Sequence, residues 1–439
     1  MAGARREIFR LAWPIVLANS AVPLLGLVDT GVIGNTGSVA ELGAIALGSL
    51  VFNFVYWSFG FLRMGTTGFT AQASGAGDEP EVRATLGRAL LLAGGIGTTL
   101  VLLQLPIVWA ALRILGASSG VEALTRSYFD VRIWGAPASL GTFAILGALV
   151  GLGRTGDVLK TQLLLNGLNI VLDLTFAGLL GFGVRGIALG TVIAEWVTLG
   201  YGLVLVAAIL RDRHSDSDSF LSIRRILNPE KVRRTLGVNA DIMVRTLFLL
   251  LGFAWFTNQG ARFGDEILAA NHVLLQLVSM SAYLLDGYAH ATEILVGRAV
   301  GAGDRNAFDR AVRAATTLAA VTAIVLSGLV LAGGGWVARL LTDIDAVRAI
   351  AETFLPFTAL YVSISFAAFQ LDGIFIGATG TRSMRNASIL SCLAFVGLTF
   401  ALVPRWTNLG LWIAFVFYVA ARAVALGAWY PRLRRSVGA

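Results

Sequence analysis

The stretch RDRHSDSDSFLSIRRILNPEKVRR (residues 211–234) is the one long polar segment of the chain. On either side of it, the sequence is a series of long apolar runs separated by short polar turns. Only 14% of the 439 residues are charged and 56% are hydrophobic, whereas soluble domains are about a quarter charged. A soluble protein of this composition would expose large apolar patches. The sequence therefore predicts a polytopic membrane protein.

The apolar runs set the number of transmembrane helices, since a helix needs roughly 20 apolar residues to cross a bilayer. The first run begins with basic residues, as a signal peptide does. Its apolar part is too long for one and no cleavage motif ends it, so we interpret it as a helix. The prediction is an all-α fold of twelve transmembrane helices, over residues 8–33, 41–72, 81–110, 122–150, 157–180, 184–210, 233–260, 266–300, 307–340, 347–378, 384–404 and 408–431.

Lysine and arginine set the orientation. With the N-terminus inside, 23 of the 34 basic residues fall on the inner side of the membrane and seven on the outer side. The positive-inside rule then places both termini in the cytoplasm. We expect a multi-pass protein of the cytoplasmic (inner) membrane. The net charge of +8 is scattered over the loops, so it predicts no nucleic-acid partner.

The two halves of the chain resemble each other. The motif GAGD occurs at Gly75–Asp78 and again at Gly301–Asp304, an offset of 226 residues. The same offset lays Gly151 on Gly377 and the pair Ile187-Ala188 on Ile413-Ala414. We predict a duplicated fold, with one six-helix lobe in residues 1–210, a cytoplasmic linker in 211–232 and a second lobe in 233–439. Transporters built from such repeats bind their substrates between the halves.

The first half carries polar residues inside predicted spans, where a charge costs about 2.5–3.5 kcal/mol. Asp29, Asp173 and Thr191 should lie at one depth near the outer side, on three different spans. The offset replaces Asp29 by Trp255 and Asp173 by Thr399, so the second half lacks this pair. Two carboxylates in a dry pocket titrate as a unit, as a proton carrier requires. The polar residues are Asp29 on the first span, Asn166, Asn169 and Asp173 on the fifth, and Thr191 and Glu195 on the sixth.

A second polar stripe lies on the eighth span, where seven polar residues share one helix face. Such a face cannot contact lipid. It predicts either substrate contacts or hydrogen bonds between helices, as does Asp372 on the tenth span. Asp241 and Arg245 are spaced to pair with each other on one helix. The stripe consists of His272, Gln276, Ser279, Tyr283, Asp286, His290 and Glu293.

Signals of enzymatic chemistry are missing. The sequence has no P-loop, so ATP is not predicted as the direct energy source. It has three histidines and one cysteine, with no metal-ligand spacing and no nucleophile motif. We therefore predict a protein that is not an enzyme and that binds neither a cofactor nor a metal.

Several segments resemble the multidrug and toxic-compound extrusion (MATE) family, and more narrowly its DNA-damage-inducible (DinF) branch. They occur in the family's order over nearly the whole chain. The segments are PLLGLVDTGVIG (23–34), FLRMGTTGFTAQ (61–72), NIVLDL (169–174), GIALGTVIAEW (186–196), LLDGYAHATE (284–293), DGIFIGAT (372–379) and Met384-Arg385-Asn386.

The resemblance implies two six-helix lobes around a central cleft, and antiport of cationic amphipathic compounds against protons or sodium. It implies a coupling site at Asp29, Asn169, Asp173 and Thr191, and a first helix that bends at Pro14. From the sequence itself, Pro23 should bend that helix as well. The sodium-coupled branch has an acid on the seventh helix, without a counterpart here beyond the differently spaced Asp241. Asp372 matches an acid on that branch's tenth helix.

The predicted function is export of small organic compounds by proton-coupled antiport, by a monomer. Sodium-coupled antiport of the same compounds is one alternative, and a flippase for lipid-linked molecules is another. Such flippases usually have additional helices and cationic clefts, whereas the residues predicted to line this cleft are rich in acids. The residues predicted to line the cleft are Asn166, Glu195, Tyr283, Asp286, His290, Glu293 and Asp372.

Overall fold

A computed structural model describes residues 2–21, 32, 37–116, 118–213, 220 and 222–438, and every regular element in these ranges is helical. The contacts divide the chain into two compact units. The N-unit is Leu17–Leu236, and the C-unit is Met1–Val16 together with Gly237–Ala439. Whether the halves behave as lobes with boundaries at 210 and 233 stays a prediction.

The helices of the first half begin where side chains cap their free N–H groups. Ser38 and Glu41 form a capping box, and Asp78 accepts a hydrogen bond from the Glu81 N–H. Pro14 lies inside the first helix, whereas Pro23 and Asp29 lie outside the described residues. The helices are α1 (Ala2–Ser20), α2 (Val39–Ser58), α3 (Phe61–Gly75), α4 (Glu79–Leu102), α5 (Gln104–Leu115), α6 (Ser119–Arg132), α7 (Ala136–Gly151), α8 (Thr155–Asp173), α9 (Gly183–Asp212) and α10 (Ile223–Ile226).

The second half consists of longer helices. α1 packs against it through Gly287, because a Cβ on that glycine would lie 3.2 Å from the Ala12 carbonyl oxygen. A large aromatic cluster that includes Phe256, Trp412 and Phe415 fills its core. The helices are α11 (Pro229–Ala261), α12 (Asp265–Gly301), α13 (Arg305–Leu341), α14 (Asp345–Gly377) and α15 (Thr381–Arg435).

The predicted helix number is confirmed. Within the described residues, ten helical stretches are long and apolar enough to cross a membrane. The last of them, α15, is two helices that meet at Thr407, where the backbone leaves the helical region (φ 47°, ψ −122°). The described part of α1 carries too many charges to meet this criterion by itself; counted as the first span, it brings the number to twelve, six in each half of the sequence. The chain has the predicted all-α fold of a polytopic membrane protein.

The turns between spans repeat at the predicted offset of 226 residues. Both GAGD motifs adopt the same turn, which ends one helix with a positive φ and caps the next with an aspartate. Two further turns repeat the positive φ without an aspartate cap, and in both the second half has threonine where the first half has glycine. The matched positions are Gly77 (φ 69°) and Gly303 (φ 66°), Gly153 (φ 71°) and Thr379 (φ 54°), and Gly181 (φ 67°) and Thr407 (φ 47°).

Close helix crossings repeat at the same offset. Gly147 and Gly151 on α7 lie against the backbone of α3. Gly373 and Gly377 on α14 lie against the backbone of α12. A Cβ on any of the four would come within 2.7 Å of a backbone oxygen on the facing helix, so each crossing requires glycine. The two halves therefore share helix packing as well as turns.

Thr407→Gly should stabilise the protein. A β-branched residue with φ 47° is strained by on the order of 1 kcal/mol, and glycine relieves that strain. The apparent melting temperature of the purified protein in detergent should rise. The control is Thr353→Gly inside α14, which should lower it. An equal decrease in both variants would show that Thr407 is not strained.

Candidate functional site

The structure brings together three of the four predicted coupling residues in the N-unit. Asn169 and Asp173 lie on one face of α8, and Thr191 lies on α9. The Asn169 side chain sits between the other two, with its amide nitrogen and oxygen positions 2.9 Å from Thr191 Oγ1 and Asp173 Oδ2. Asn169 and Asp173 are completely buried. The fourth residue, Asp29, lies outside the described residues.

The contacts of Asn169 with an ionised Asp173 are satisfied in one of the two amide orientations. In one, the NH₂ group donates to Asp173 Oδ2 at 2.9 Å, and the amide oxygen accepts from Thr191 Oγ1 at 2.9 Å and from its backbone N–H at 3.3 Å. In the other, the NH₂ group donates to Thr191 Oγ1, which donates to the Ile187 carbonyl oxygen at 2.9 Å. The amide oxygen then faces Asp173 Oδ2, which is favourable only if the carboxyl carries a proton. The two orientations therefore fit different protonation states of Asp173.

Gly190 leaves the space that the Asp173 carboxylate occupies. A Cβ on Gly190 would lie 2.5 Å from Asp173 Oδ1 and 3.2 Å from Leu172 Cβ. One turn earlier on α9, a Cβ on Gly186 would lie 2.9 Å from the Ala177 backbone nitrogen. These glycines let α9 approach the end of α8 closely, so they position the carboxylate beside Thr191.

If export depends on Asp173, Gly190→Ala should slow it. The added methyl group forces the carboxylate or the helix to move, and overpacking of this kind costs about 1–3 kcal/mol. We expect the export rate of purified protein in vesicles to fall by about 10-fold or more. The matched control is Gly200→Ala on the same helix, where a Cβ meets open space. Equal rates for the two variants would show that Asp173 tolerates displacement.

The helix changes form directly after Asp173. Residues Leu174–Leu179 form a π-helical segment, in which the Leu180 N–H donates to the Thr175 carbonyl oxygen at 2.9 Å. π-helical turns are rare and occur frequently at functional sites. The sequence signal for this segment is weak, because its residues are ordinary apolar ones. Asn166, one turn before Asn169 and also buried, has an amide nitrogen that makes no hydrogen bond within the described residues.

Glu195 lies one turn beyond Thr191 but belongs to a different cluster. Its carboxylate forms a two-pronged ion pair with Arg132, with N–O distances of 2.8 and 2.6 Å. The Ser139 hydroxyl donates to the same carboxylate. The Arg132 guanidinium also stacks over the rings of Phe52 and Tyr56, at 5.1 and 5.4 Å from their centroids. The pairing of Arg132 with Glu195 is not predictable from the spacing of either residue, although Arg132 is one of the few basic residues inside a predicted span.

The polar stripe of α12 runs from exposed to buried residues. His272 and Gln276 are exposed, and Tyr283 and Asp286 are half-buried. His290 and Glu293 are buried. The His290 Nδ1 atom lies 2.7 Å from the Asp286 carbonyl oxygen and 3.8 Å from its carboxylate. Within the described ranges, no group of three or more potential ligands could hold a metal ion.

Asp372 lies between two buried arginines of the C-unit. Arg245 of α11 forms a hydrogen-bonded ion pair with the Asp372 Oδ2 atom. Arg422 of α15 lies 3.4 Å from the same oxygen. The predicted pairing of Arg245 with Asp241 is therefore wrong. Asp241 instead accepts hydrogen bonds from Arg385 at 2.7 Å and from the Thr381 hydroxyl at 3.1 Å.

In the C-unit, other residues stand at the positions that correspond to two of the predicted coupling residues. Trp255 and Thr399 stand at the positions of Asp29 and Asp173 in the offset of 226 residues. In the structure, the Trp255 indole N–H donates to the Thr399 hydroxyl at 3.0 Å. The two repeat-related positions thus contact each other directly in the C-unit.

Comparisons with known proteins agree with the fold. The MatE family model matches residues 14–175 and 242–402, once in each half. DNA damage-inducible protein F of Escherichia coli (strain K12) is 38% identical, over 97% of this chain and 92% of that protein. A probable multidrug resistance protein, NorM, of Deinococcus radiodurans is 28% identical, over 97% and 91% of the two chains.

A solved structure shares the whole fold. It is described as the outward-facing conformation of a multidrug resistance MATE family transporter, and it matches with a TM-score of 0.88 and 21% identity. The match covers 99% of this chain and 96% of that chain. Members of this family are transporters rather than enzymes. The chain is a multi-pass membrane protein that belongs to the multidrug and toxic-compound extrusion (MATE) family, in its DNA-damage-inducible branch.

Proposed function

We propose that this transporter exports small, cationic amphipathic compounds across the cytoplasmic membrane in exchange for protons, by alternating access. Both termini are cytoplasmic in this proposal. The coupling residues are Asp29, Asn169, Asp173 and Thr191, and Pro14 and Pro23 permit the first helix to bend. The observation that carries the proposal is the contact of Asn169 with both Asp173 and Thr191.

The two amide orientations of Asn169 support a proton switch. An ionised Asp173 accepts from the amide N–H, and a protonated Asp173 donates to the amide oxygen. The change in orientation reverses the direction of the hydrogen bond between Asn169 and the Thr191 hydroxyl, so the protonation of Asp173 on α8 affects a contact of α9. The Asp173 carboxylate is completely buried, and a buried charge is costly unless a proton or a cation neutralises it.

The repeat-related contact supports a role for Asp29 at the same site. Trp255 and Thr399 contact each other in the C-unit. By analogy, the two acids would share one pocket in the N-unit and titrate as a pair. A proton that crosses about 150 mV releases roughly 3.5 kcal/mol. That energy would sustain a few-hundredfold gradient of a neutral compound, whereas one-for-one exchange of a monovalent cation moves no net charge and is driven by the pH difference alone.

The C-unit supports a single coupling site. Asp372, which matches an acid of the sodium-coupled branch, contacts two guanidinium groups. Their positive charges oppose a cation at this carboxylate. Coupling to protons therefore rests on the N-unit in this proposal, and coupling to sodium would also have to use Asp173 and its neighbours.

The test is transport by the full chain reconstituted in vesicles. Ethidium, a fluorescent cation, is the transported probe. An imposed proton gradient should drive its accumulation, and a sodium gradient at constant pH should not. Sodium-driven accumulation without a proton gradient would favour the sodium alternative. No transport under either gradient, with lipid scrambling instead, would favour the flippase.

A further inference from the structure

A cavity lies between α6 and the start of α9 in the N-unit. Its volume is about 310 Å³, near the lower end of the range for ligand sites, about 300–1,000 Å³. Three of its lining residues are apolar and the fourth is an arginine. They are Val131, Phe182, Arg185 and Leu189. The cavity therefore has the two kinds of surface that an amphipathic ligand requires.

Arg185 is the charged residue of this cavity. Its Nε–H group donates to the Ser127 hydroxyl at 2.6 Å, which fixes the guanidinium on α6. The two terminal NH₂ groups carry four further N–H donors. They make no hydrogen bond and no ion pair with the described residues. Since the side chain is exposed, these donors are available to two oxygens of one phosphate group.

The acids on neighbouring helices do not pair with this guanidinium. Asp130 on α6 is exposed and makes no ion pair with Arg185. Glu122 lies nine positions before Val131 on α6, roughly 14 Å along the helix axis. Glu41 is engaged in the cap of α2. The positive charge of Arg185 is therefore available to an anionic group.

The cavity has a polar end and an apolar end. The hydrogen bond between Ser127 and Arg185 sets one level on the two helices. Val131 and Leu189 each follow four residues later, roughly 6 Å further along their helices. Both helices belong to apolar spans, so this direction leads from the membrane surface into the bilayer. The charged and apolar parts of the cavity are thus arranged like the headgroup and chain of a phospholipid.

Aromatic contacts fix the surroundings of the cavity. The Phe182 ring stacks on Phe176, with the centroids 6.2 Å apart. Deeper in the span, the Trp196 indole N–H donates to the Trp134 carbonyl oxygen at 3.0 Å, which joins α9 to the junction of α6 and α7. Trp196 follows Arg185 by 11 residues, about 16 Å along α9. This length is about half of the roughly 30 Å hydrocarbon core, so it corresponds to one leaflet.

We propose that this cavity binds an anionic phospholipid, with the phosphate on Arg185 and an acyl chain along Val131 and Leu189. A phospholipid combines a phosphate that a guanidinium can bind through two parallel hydrogen bonds with a chain that the apolar lining accepts. Such a lipid site goes beyond the proposed exchange and does not depend on which ion drives it.

The test measures lipid binding to the purified full chain in a neutral detergent, through the rise in apparent melting temperature as lipid is added. Phosphatidylglycerol is the anionic probe, and phosphatidylcholine, which has no net charge, is the neutral one. The half-maximal rise should need at least about 10-fold less phosphatidylglycerol than phosphatidylcholine, as a charge-assisted hydrogen bond predicts. Arg185→Gln should remove this difference. Equal binding of the two lipids to the unmodified protein would overturn the proposal.

Matched controls separate this site from a general attraction of lipid. Arg113→Gln removes another arginine of the predicted outer side, which lies over the Trp109 ring at 4.9 Å, and should leave the preference intact. An equal loss in both arginine variants would contradict a specific site. Leu189→Trp keeps the guanidinium but fills the cavity, so phosphatidylglycerol should bind less tightly, whereas Leu203→Trp, also exposed on α9, should have no effect. Unchanged binding in Leu189→Trp, or competition by inorganic phosphate, would overturn the lipid assignment.

Discussion

Asp173→Asn should abolish proton-driven export and leave the protein folded. Asparagine keeps the size and the hydrogen bonds of a protonated aspartate but cannot release a proton. Removal of a charge from the membrane interior also lowers the cost of insertion. Ethidium accumulation under a proton gradient should fall to that of protein-free vesicles. Binding of ethidium to the purified protein should persist.

Two comparisons make this expectation specific. Asp29→Asn should have the same effect, and the double variant should be no worse than either single one, because the two acids act as a unit. Asp157→Asn is the matched control, since Asp157 lies at the other end of α8 and pairs with Arg154 and Lys160. Export that survives in Asp173→Asn, or that is lost equally in Asp157→Asn, would contradict the assignment.

Loss of Glu195 should destabilise the N-unit strongly. Glu195→Leu leaves the Arg132 guanidinium buried without its carboxylate, which costs about 3–5 kcal/mol. The double variant Arg132→Met/Glu195→Leu removes both charges and should recover most of that loss. The measurement is the apparent melting temperature in detergent, with unfolding by denaturant as a second readout. Ser139→Ala should have a smaller effect.

The same series separates two roles for Glu195. A substrate contact at Glu195 stays a prediction from the sequence. A stable Glu195→Leu variant that has lost ethidium binding would support the substrate role. An unstable single variant and a stable, active double variant would support a structural ion pair instead.

The sequence predicted the spans because the bilayer constrains their length and composition. A membrane helix must be about 20 apolar residues long, so the runs defined the helices within a few residues. The turn glycines repeated for a local reason, since each turn needs a positive φ. Two of these turns could not be predicted from the sequence, because Thr379 and Thr407 stand where the backbone favours glycine.

The ion pairs could not be predicted in the same way. The spacing of Asp241 and Arg245 suggested a pair on one helix. The structure pairs Arg245 with Asp372 across 127 positions and Asp241 with Arg385 across 144. Arg132 likewise pairs with Glu195 on another helix. Such partners depend on which helices are neighbours, and periodicity within one helix carries no information on that.

The most direct test of the coupling site is proton release from the purified protein in lightly buffered detergent. Addition of ethidium to the unmodified chain should release protons, because a bound cation favours ionised carboxylates at Asp29 and Asp173. The release should disappear in Asp173→Asn and persist in Asp372→Asn. Release that persists in Asp29→Asn/Asp173→Asn and disappears in Asp372→Asn would move the coupling site to the C-unit and contradict this account.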